Sequence, residues 1–468
     1  MAKLYVFGIG GTGSRVLRSL TMLLAAGVDT NGYDIVPIII DPDCSNGNLT
    51  QNVSLMESYV SIRSQLSFTD GNHNKFFSTK IERTLQNFKM PVYQTDSLKF
   101  KEFINLSGMQ DKANKAMARM LFSDDNLNSD MNIGFKGNPN IGSVVLNQIS
   151  SSTEFQNFAQ GFQNGDKIFI ISSIFGGTGA SGFPLLLKIL RTGQNIPNAE
   201  AIKSAPIGAI TVLPYFKLNK DNQSSIDSST FISKAKSALA YYDRTIDRNK
   251  QINELYFIGE NDCNTYDHKD GGTGQTNKAH AIELFAATAI IDFASKQIDA
   301  QNDHNYHELG VNDTNGAITF NHLYGNLANM LRCPLTQLAL TAYSLQHDFD
   351  FVKSKQLAQN TTLGLNVYFY SSSFVSQVRR FLKAYKDWLD EMKHNVISLD
   401  LFDLNQANSP YEIVKDVKAN TGWFSRNNWE AFRIALNKAS VKSKSDKDKF
   451  LEMYFSATEN ICKDKFNF

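Results

Sequence analysis

The sequence has no apolar run long enough to cross a membrane. Its best candidate, residues 281–294, is too short and carries Glu283 and Asp292. A helix there would be apolar almost all round, which suits burial inside the protein. Cysteine is scarce: Cys44, Cys263, Cys333 and Cys462 are far apart and form no Cys-x-x-Cys pair. That spacing argues against a structural zinc site or a disulfide framework and fits reduced thiols in a cytoplasm. Net charge is nearly absent, at +1. Composition therefore makes no electrostatic case for nucleic acid or an acidic membrane as partner. The amino terminus lacks the build of a secretory signal: Lys3 is followed by a short apolar run broken at Gly8, Gly10, Gly11 and Gly13. Internal repeats and low-complexity tails are also missing.

What remains is the composition of a globular chain. It has 468 residues, 42% hydrophobic and 20% charged, enough for two domains. Glycine is concentrated where strand patterns give way to helix patterns. Residues 172–182 read SSIFGGTGASG, behind an apolar run at 168–171 and ahead of a helical pattern at 183–190. Pro184 stands just inside that helix start, where its missing N–H costs nothing. Strand, glycine loop and helix in that order build an anion cradle, with backbone N–H groups and the positive helix end turned to the ligand.

Two further glycine turns lie upstream. The chain opens with a strand at 4–7, GIGGTG at 8–13, a helix at 15–26 closed by Gly27, and a strand at 35–40 ending at Asp41. This is the start of a doubly wound parallel sheet. Alone, it resembles a dinucleotide fingerprint, with Asp41 where a ribose-binding acid would sit. GFKGNPNIG at 134–142 precedes a helix from 143; alone it reads as a surface turn.

The remaining patterns complete an α/β reading. Residues 51–132 read as an elaboration of the sheet, with helical pieces at 74–88 and 111–122. Strands are expected at 207–214 and 254–258, a helix at 231–242, and a long apolar helix from 277 to 297. Beyond it come strands at 317–320 and 363–370, and helices at 322–331, 335–347, 375–393, 428–438 and 447–463. Pro334 separates the first two helices, and 438–449 reads as a basic, Ser-rich linker.

With its three loops placed, the chain resembles the tubulin/FtsZ superfamily, and within it the bacterial tubulin-like proteins. The family's Gly-Gly-Gly-Thr-Gly-x-Gly signature stands as FGGTGASG at 175–182, with Phe175 for the first glycine and one extra residue. Its first loop stands as GIGGTG at 8–13, and an FtsZ-like third loop as NPNIG at 138–142. The resemblance implies a GTP-binding domain over 1–275 with 51–132 inserted, a central helix at 276–297, and a helix-rich α+β domain at 298–468. It implies that Gly10, Gly11 and Thr12 meet the inner phosphates, with Gly13 and Arg15 also among the cofactor-binding residues. Gly176, Gly177, Thr178, Gly179 and Ala180 would cradle the outer ones, with Gly137 and Asn138 beside the terminal phosphate. Asp41 would sit near Mg2+ or its waters, and Asn261 and Asn277 would face the base. An Asn carbonyl accepts from guanine but the amide also pairs with adenine, so spelling does not choose between GTP and ATP.

The chain departs from the family in places. Arg15 stands after the first glycine loop, where FtsZ has Asn and tubulin Gln. Residues 214–219 lack the ribose-binding acid, and 316–323, taken as the counterpart of the water-positioning loop, contain no acid. Asp313 and His322 are the candidate catalytic groups there. The leading expectation is a cytoplasmic GTP/GDP-binding protein that assembles head to tail into filaments, with nucleotide and Mg2+ at the subunit junction and uncertain GTPase activity. The alternatives are a non-polymerising scaffold acting through an unidentified partner, and an NAD-dependent oxidoreductase.

Overall fold

The computed structural model describes residues 1–43, 45–68, 71–132, 134–135, 137–219, 230–260, 264–266, 272–311, 316–353, 363–405, 407–420 and 428–468. Its centre is a six-stranded sheet, all of whose pairings are parallel. The chain builds it from β1 (Lys3–Ile9), β2 (Asp34–Ile40), β3 (Lys167–Ser173), β4 (Ile207–Val212), β6 (Glu254–Ile258) and β8 (Asn305–Glu308). The spatial order is β2-β1-β3-β4-β6-β8. Strands β2, β3 and β4 are buried along their whole length, as near-continuous Ile, Val and Phe runs require when both sheet faces are covered. A small parallel ribbon pairs β5 (Phe216–Leu218) with β7 (Asn264–Tyr266).

Helices cover the sheet. Those that shape its upper rim are α1 (Gly10–Ala25), α2 (Gly47–Arg63), α4 (Pro139–Leu146), α6 (Gly177–Thr192) and α8 (Ala281–Ser295). Between them lie α3 (Lys112–Leu121), α5 (Thr153–Gly161) and α7 (Phe231–Tyr242). Helix α1 packs on α2 and α8, and α4 packs on α6. Helix α8 is buried almost all round, as its composition predicts. The last third is helical: α9 (Gly325–His347), α10 (Ser373–Lys393), α11 (Asn428–Asn437) and α12 (Asp446–Ile461). Helix α9 packs on α10 and α12, and α10 reaches back to α2. The α/β class with a doubly wound sheet and a helix-rich carboxyl-terminal part is what the sequence predicts.

Several local expectations are corrected. Residues 74–88 are not a helix. They run beside edge strand β2, where Glu82 N–H and Met90 N–H donate to Ile35 and Ile39 carbonyls, both at 2.9 Å. The edge supplies backbone partners that a local helix would otherwise provide. Asn74 starts the departure by exchanging hydrogen bonds with Phe76 at 3.0 Å. Residues 363–370 are not a strand: Gly364 has φ +66, and Asn366 caps a short turn of helix, Val367–Tyr370, through Phe369 N–H.

The strand expected at 317–320 shrinks to one bridge between Ile318 and Leu399. Pro334 does not divide two helices but lies inside α9. There Tyr385 Oη of α10 donates to the Leu335 carbonyl, and Gln337 Nε2 donates to the Phe455 carbonyl of α12, holding the segment against the loss of one helical bond. In 438–449, the amides of Lys442 and Ser443 donate to Glu452, and residues 446–449 open α12. Helix α2 and strand β8 were not expected at all. The buried polar residues Asn48 and Asn52 break the apolar pattern of α2. Strand β8 is a short edge strand of exposed, polar residues.

Candidate functional site

Strands β1 and β3 are neighbours, yet the chain leaves β1 outward to β2 and leaves β3 outward to β4. A crevice opens at the carboxyl ends of such strands, where the winding changes direction. Here it is a cavity of about 510 Å³, within the range of small-ligand sites. Helix α1 starts directly after β1, and α6 starts four residues after the end of β3. Their N-cap residues, Ile9 and Gly176, supply no side-chain hydrogen bond. The first turns of both helices line the cavity. Their N–H groups and positive ends are thus presented together, the physical requirement for an anion site.

The third glycine turn closes the same space. Gly134, Phe135 and Gly137 line it, and Lys234 of α7 donates to the Gly137 carbonyl at 3.0 Å. Side chains would not fit between the loops. A Cβ at Gly177 would stand 3.0 Å from Gly137 N, and Gly10 and Gly137 have φ of +70 and +73. Gly177 needs glycine for clearance, and Gly10 and Gly137 need it for conformation.

The opposite wall is polar and comes from distant segments. Arg15 of α1 donates from Nε to Glu283 of α8 at 2.5 Å and from Nη2 to Tyr215 Oη at 2.7 Å. Tyr215 donates in turn to Glu283 at 3.2 Å. Burial works against the Arg15 charge, but Tyr215 and Glu283 outweigh it and raise its pKa. His280 and Glu283 cap α8 reciprocally: Ile282 N–H donates to His280 Nδ1 at 3.1 Å, and His280 N–H to Glu283 at 3.1 Å. Burial pulls the His280 imidazole down to about 4, so it stays neutral near pH 7. Its Nε2 is buried with no partner among the described residues.

Asp41 follows β2, and burial pushes its carboxyl up to about 7, although Asp43 N–H donates to it at 3.1 Å. Among the described residues no group of three His, Cys, Asp or Glu could hold a metal alone. Mg2+ commonly takes one or two carboxylates and completes its shell with water and phosphate oxygens. Asp41 and Asp43, both on the cavity wall, fit that donor set.

Of the residues singled out from sequence, Gly10, Gly11, Thr12, Arg15 and Asp41 line the cavity. So do Gly137, Gly176, Gly177, Thr178, Gly179 and Asn277. Asn277 lies four residues before α8 rather than at its start, and its N–H donates to Asn48 at 2.9 Å. Gly13, Asn138 and Ala180 do not line it. Gly13 serves packing: a Cβ there would stand 2.5 Å from the Gly8 carbonyl carbon. Asn138 is the N-cap residue of α4. His322 also lies off the cavity, and its Nδ1 accepts from Thr319 N–H at 3.0 Å. Asn261 and Asp313 fall outside the described residues. Sequence reasoning missed Glu283, Tyr215 and His280 as wall residues. The His-x-x-Glu capping box at 280–283 was the available signal.

Glycine turns after β1 and β3 and a third before α4 thus meet at one cavity, and the buried helix α8 follows them in the chain. No family model matches the chain, and no curated protein is significantly similar to it. Among solved structures it is similar to CetZ from Methanosaeta thermophila strain DSM 6194, at 15% identity and a TM-score of 0.28. That overlap covers 64% of this chain and 52% of the other. It is also similar to CetZ2 from Haloferax volcanii, described as a GTPγS-bound protofilament, at 14% identity and a TM-score of 0.30. There the overlap covers 63% of this chain and 58% of the other. The chain thus spans little more than half the length of either structure.

Proposed function

We propose that this chain is a tubulin-like cytoskeletal protein of bacterial type. It binds GTP or GDP with Mg2+ in the cavity between β1 and β3 and assembles head to tail with other copies. The observation that carries this reading is the convergence of three glycine turns and two uncapped helix starts on one cavity. Phosphate is the ligand group that such backbone donors suit best. A dinucleotide reading uses the β1 turn and Asp41 and leaves the turns at Gly137 and Gly177 without a role.

Nucleotide at a subunit junction would let its state bias assembly. A head-to-tail contact that does not close into a ring continues as a filament. Among the described residues no helix is long and apolar enough to cross a membrane, and we place the protein in the cytoplasm. The test is sedimentation and electron microscopy of the purified chain with a slowly hydrolysed GTP analogue. Nucleotide-dependent filaments are the expected result. Protein that stays monomeric at high concentration with every nucleotide contradicts assembly.

A further inference from the structure

Arg15 lies four residues past Gly11, in the second turn of α1. Residues four apart share a helix face, and helical side chains lean toward the amino terminus. Arg15 therefore reaches back over Gly11, and a Cβ at Gly11 would stand 3.5 Å from Arg15 Nη1. Two other elements fix the guanidinium. Glu283 takes Nε and Tyr215 takes Nη2. Nη1 has no hydrogen-bond partner among the described residues. A structural Arg–carboxylate pair commonly uses both parallel N–H groups of the fork on one carboxylate. Here the fork is divided between two side chains, which leaves its third nitrogen at the glycine turn.

We propose that Arg15 is a preset phosphate ligand, whose Nη1 donates to a phosphate oxygen of a nucleoside di- or triphosphate at the turn of Gly10 and Gly11. Glu283 and Tyr215 are its positioning residues. Guanidinium suits the role because it keeps its charge and is weakly hydrated. Because it is already held, little side-chain entropy is lost when the ligand arrives. A lysine could not divide its single ammonium among Glu283, Tyr215 and a phosphate in the same planar geometry. The inference rests on the nucleotide reading above and adds to it a cationic ligand, supplied by the chain itself, next to the backbone cradle.

The test is calorimetric titration of the full chain, stripped of nucleotide, with GTP, GDP and guanosine. Guanosine carries base and sugar without phosphate. Arg15→Met should weaken GTP and GDP about 10- to 100-fold, the range of a charge-assisted hydrogen bond, while guanosine changes by less than about twofold. Tyr215→Phe should show the same selectivity at roughly threefold to tenfold, because it removes one anchor and leaves the cation. Arg15→Met strands Glu283, so Arg15→Met/Glu283→Gln is measured beside it, each with a thermal melt. GTP affinity unchanged in both Arg15 variants overturns the proposal, and so does an equal loss for GTP and guanosine. An unmodified chain that binds no nucleotide overturns the nucleotide reading itself, a distinct result.

Discussion

The two ends of the central sheet gather charge in opposite ways. At the amino end, Glu254 accepts from Lys296 Nζ and Asn305 Nδ2, each at 2.8 Å, and also pairs with His307. Lys167 donates to the carbonyls of Phe293, Ala294 and Lys296, closing the carboxyl end of α8. Burial works against the Glu254 charge, and Lys296, Asn305 and His307 outweigh it, holding the carboxyl below its usual range. At the carboxyl end Arg15 and Glu283 also pair, but other donors are left open. Helices α1 and α6 start without side-chain caps, and His280 Nε2 is buried without a partner among the described residues. Helix α8 joins both regions, closed by Lys167 at one end and presenting Glu283 at the other. Satisfied charges build structure, whereas unsatisfied donors gathered around a cavity await a ligand.

The comparison breaks most visibly at Gly177. A valine there would drive its Cβ against Gly137 N and Phe135. GTP affinity should fall by more than about 100-fold, since backbone donors can no longer approach the phosphate. An unchanged titration in a folded Gly177→Val variant would remove the cradle. At the other end, Lys296→Met leaves buried Glu254 short of its cation. Stability should fall by about 2 kcal/mol in denaturant titration, with GTP affinity untouched. The pH dependence sharpens this contrast. A lowered folded pKa makes the Glu254 contribution present above its ordinary 4.5 and lost as pH falls through the folded value. The acid-side loss of stability should therefore shrink in the variant.

Asp41 carries the opposite sign. Its folded pKa of about 7 lies above the ordinary 3.8, so its contribution is fullest below 3.8 and is lost as pH rises through 7. Asp41→Asn should thus be more stable than the unmodified chain by about 4 kcal/mol near pH 8 and indistinguishable near pH 4. Its Mg2+-dependent gain in GTP affinity should disappear. Equal melting curves for both proteins at the higher pH would contradict the burial of an ionising carboxyl. The smallest expected effect is at His322. In assembled protein, His322→Ala should slow phosphate release about tenfold, or 1.4 kcal/mol, if the imidazole positions water. Unchanged release removes it as a candidate.

The glycine turns were legible because strand, glycine and helix adjoin in sequence, so their chemistry is local. Helix starts were less so. Helices α1 and α6 begin inside glycine runs, at Gly10 and Gly177, where propensity disfavours helix and packing against the sheet overrides it. Residues 74–88 look helical in isolation, but the edge of β2 offers them backbone partners from outside the segment. The Arg15 contact with Glu283 spans 268 residues, and no periodicity connects such distant positions. The glycine-turn side of the cavity could be read from the resemblance, while the polar wall facing it emerges only from the tertiary structure.

The most direct measurement is the identity of the nucleotide that purified, undenatured protein carries, read by chromatography after denaturation and followed by titration of the emptied chain. Guanine nucleotide released from the chain, or taken up by it and lost in Gly177→Val, is the predicted result. NAD in the released fraction, or a chain that neither carries nor takes up any nucleotide, would contradict the account.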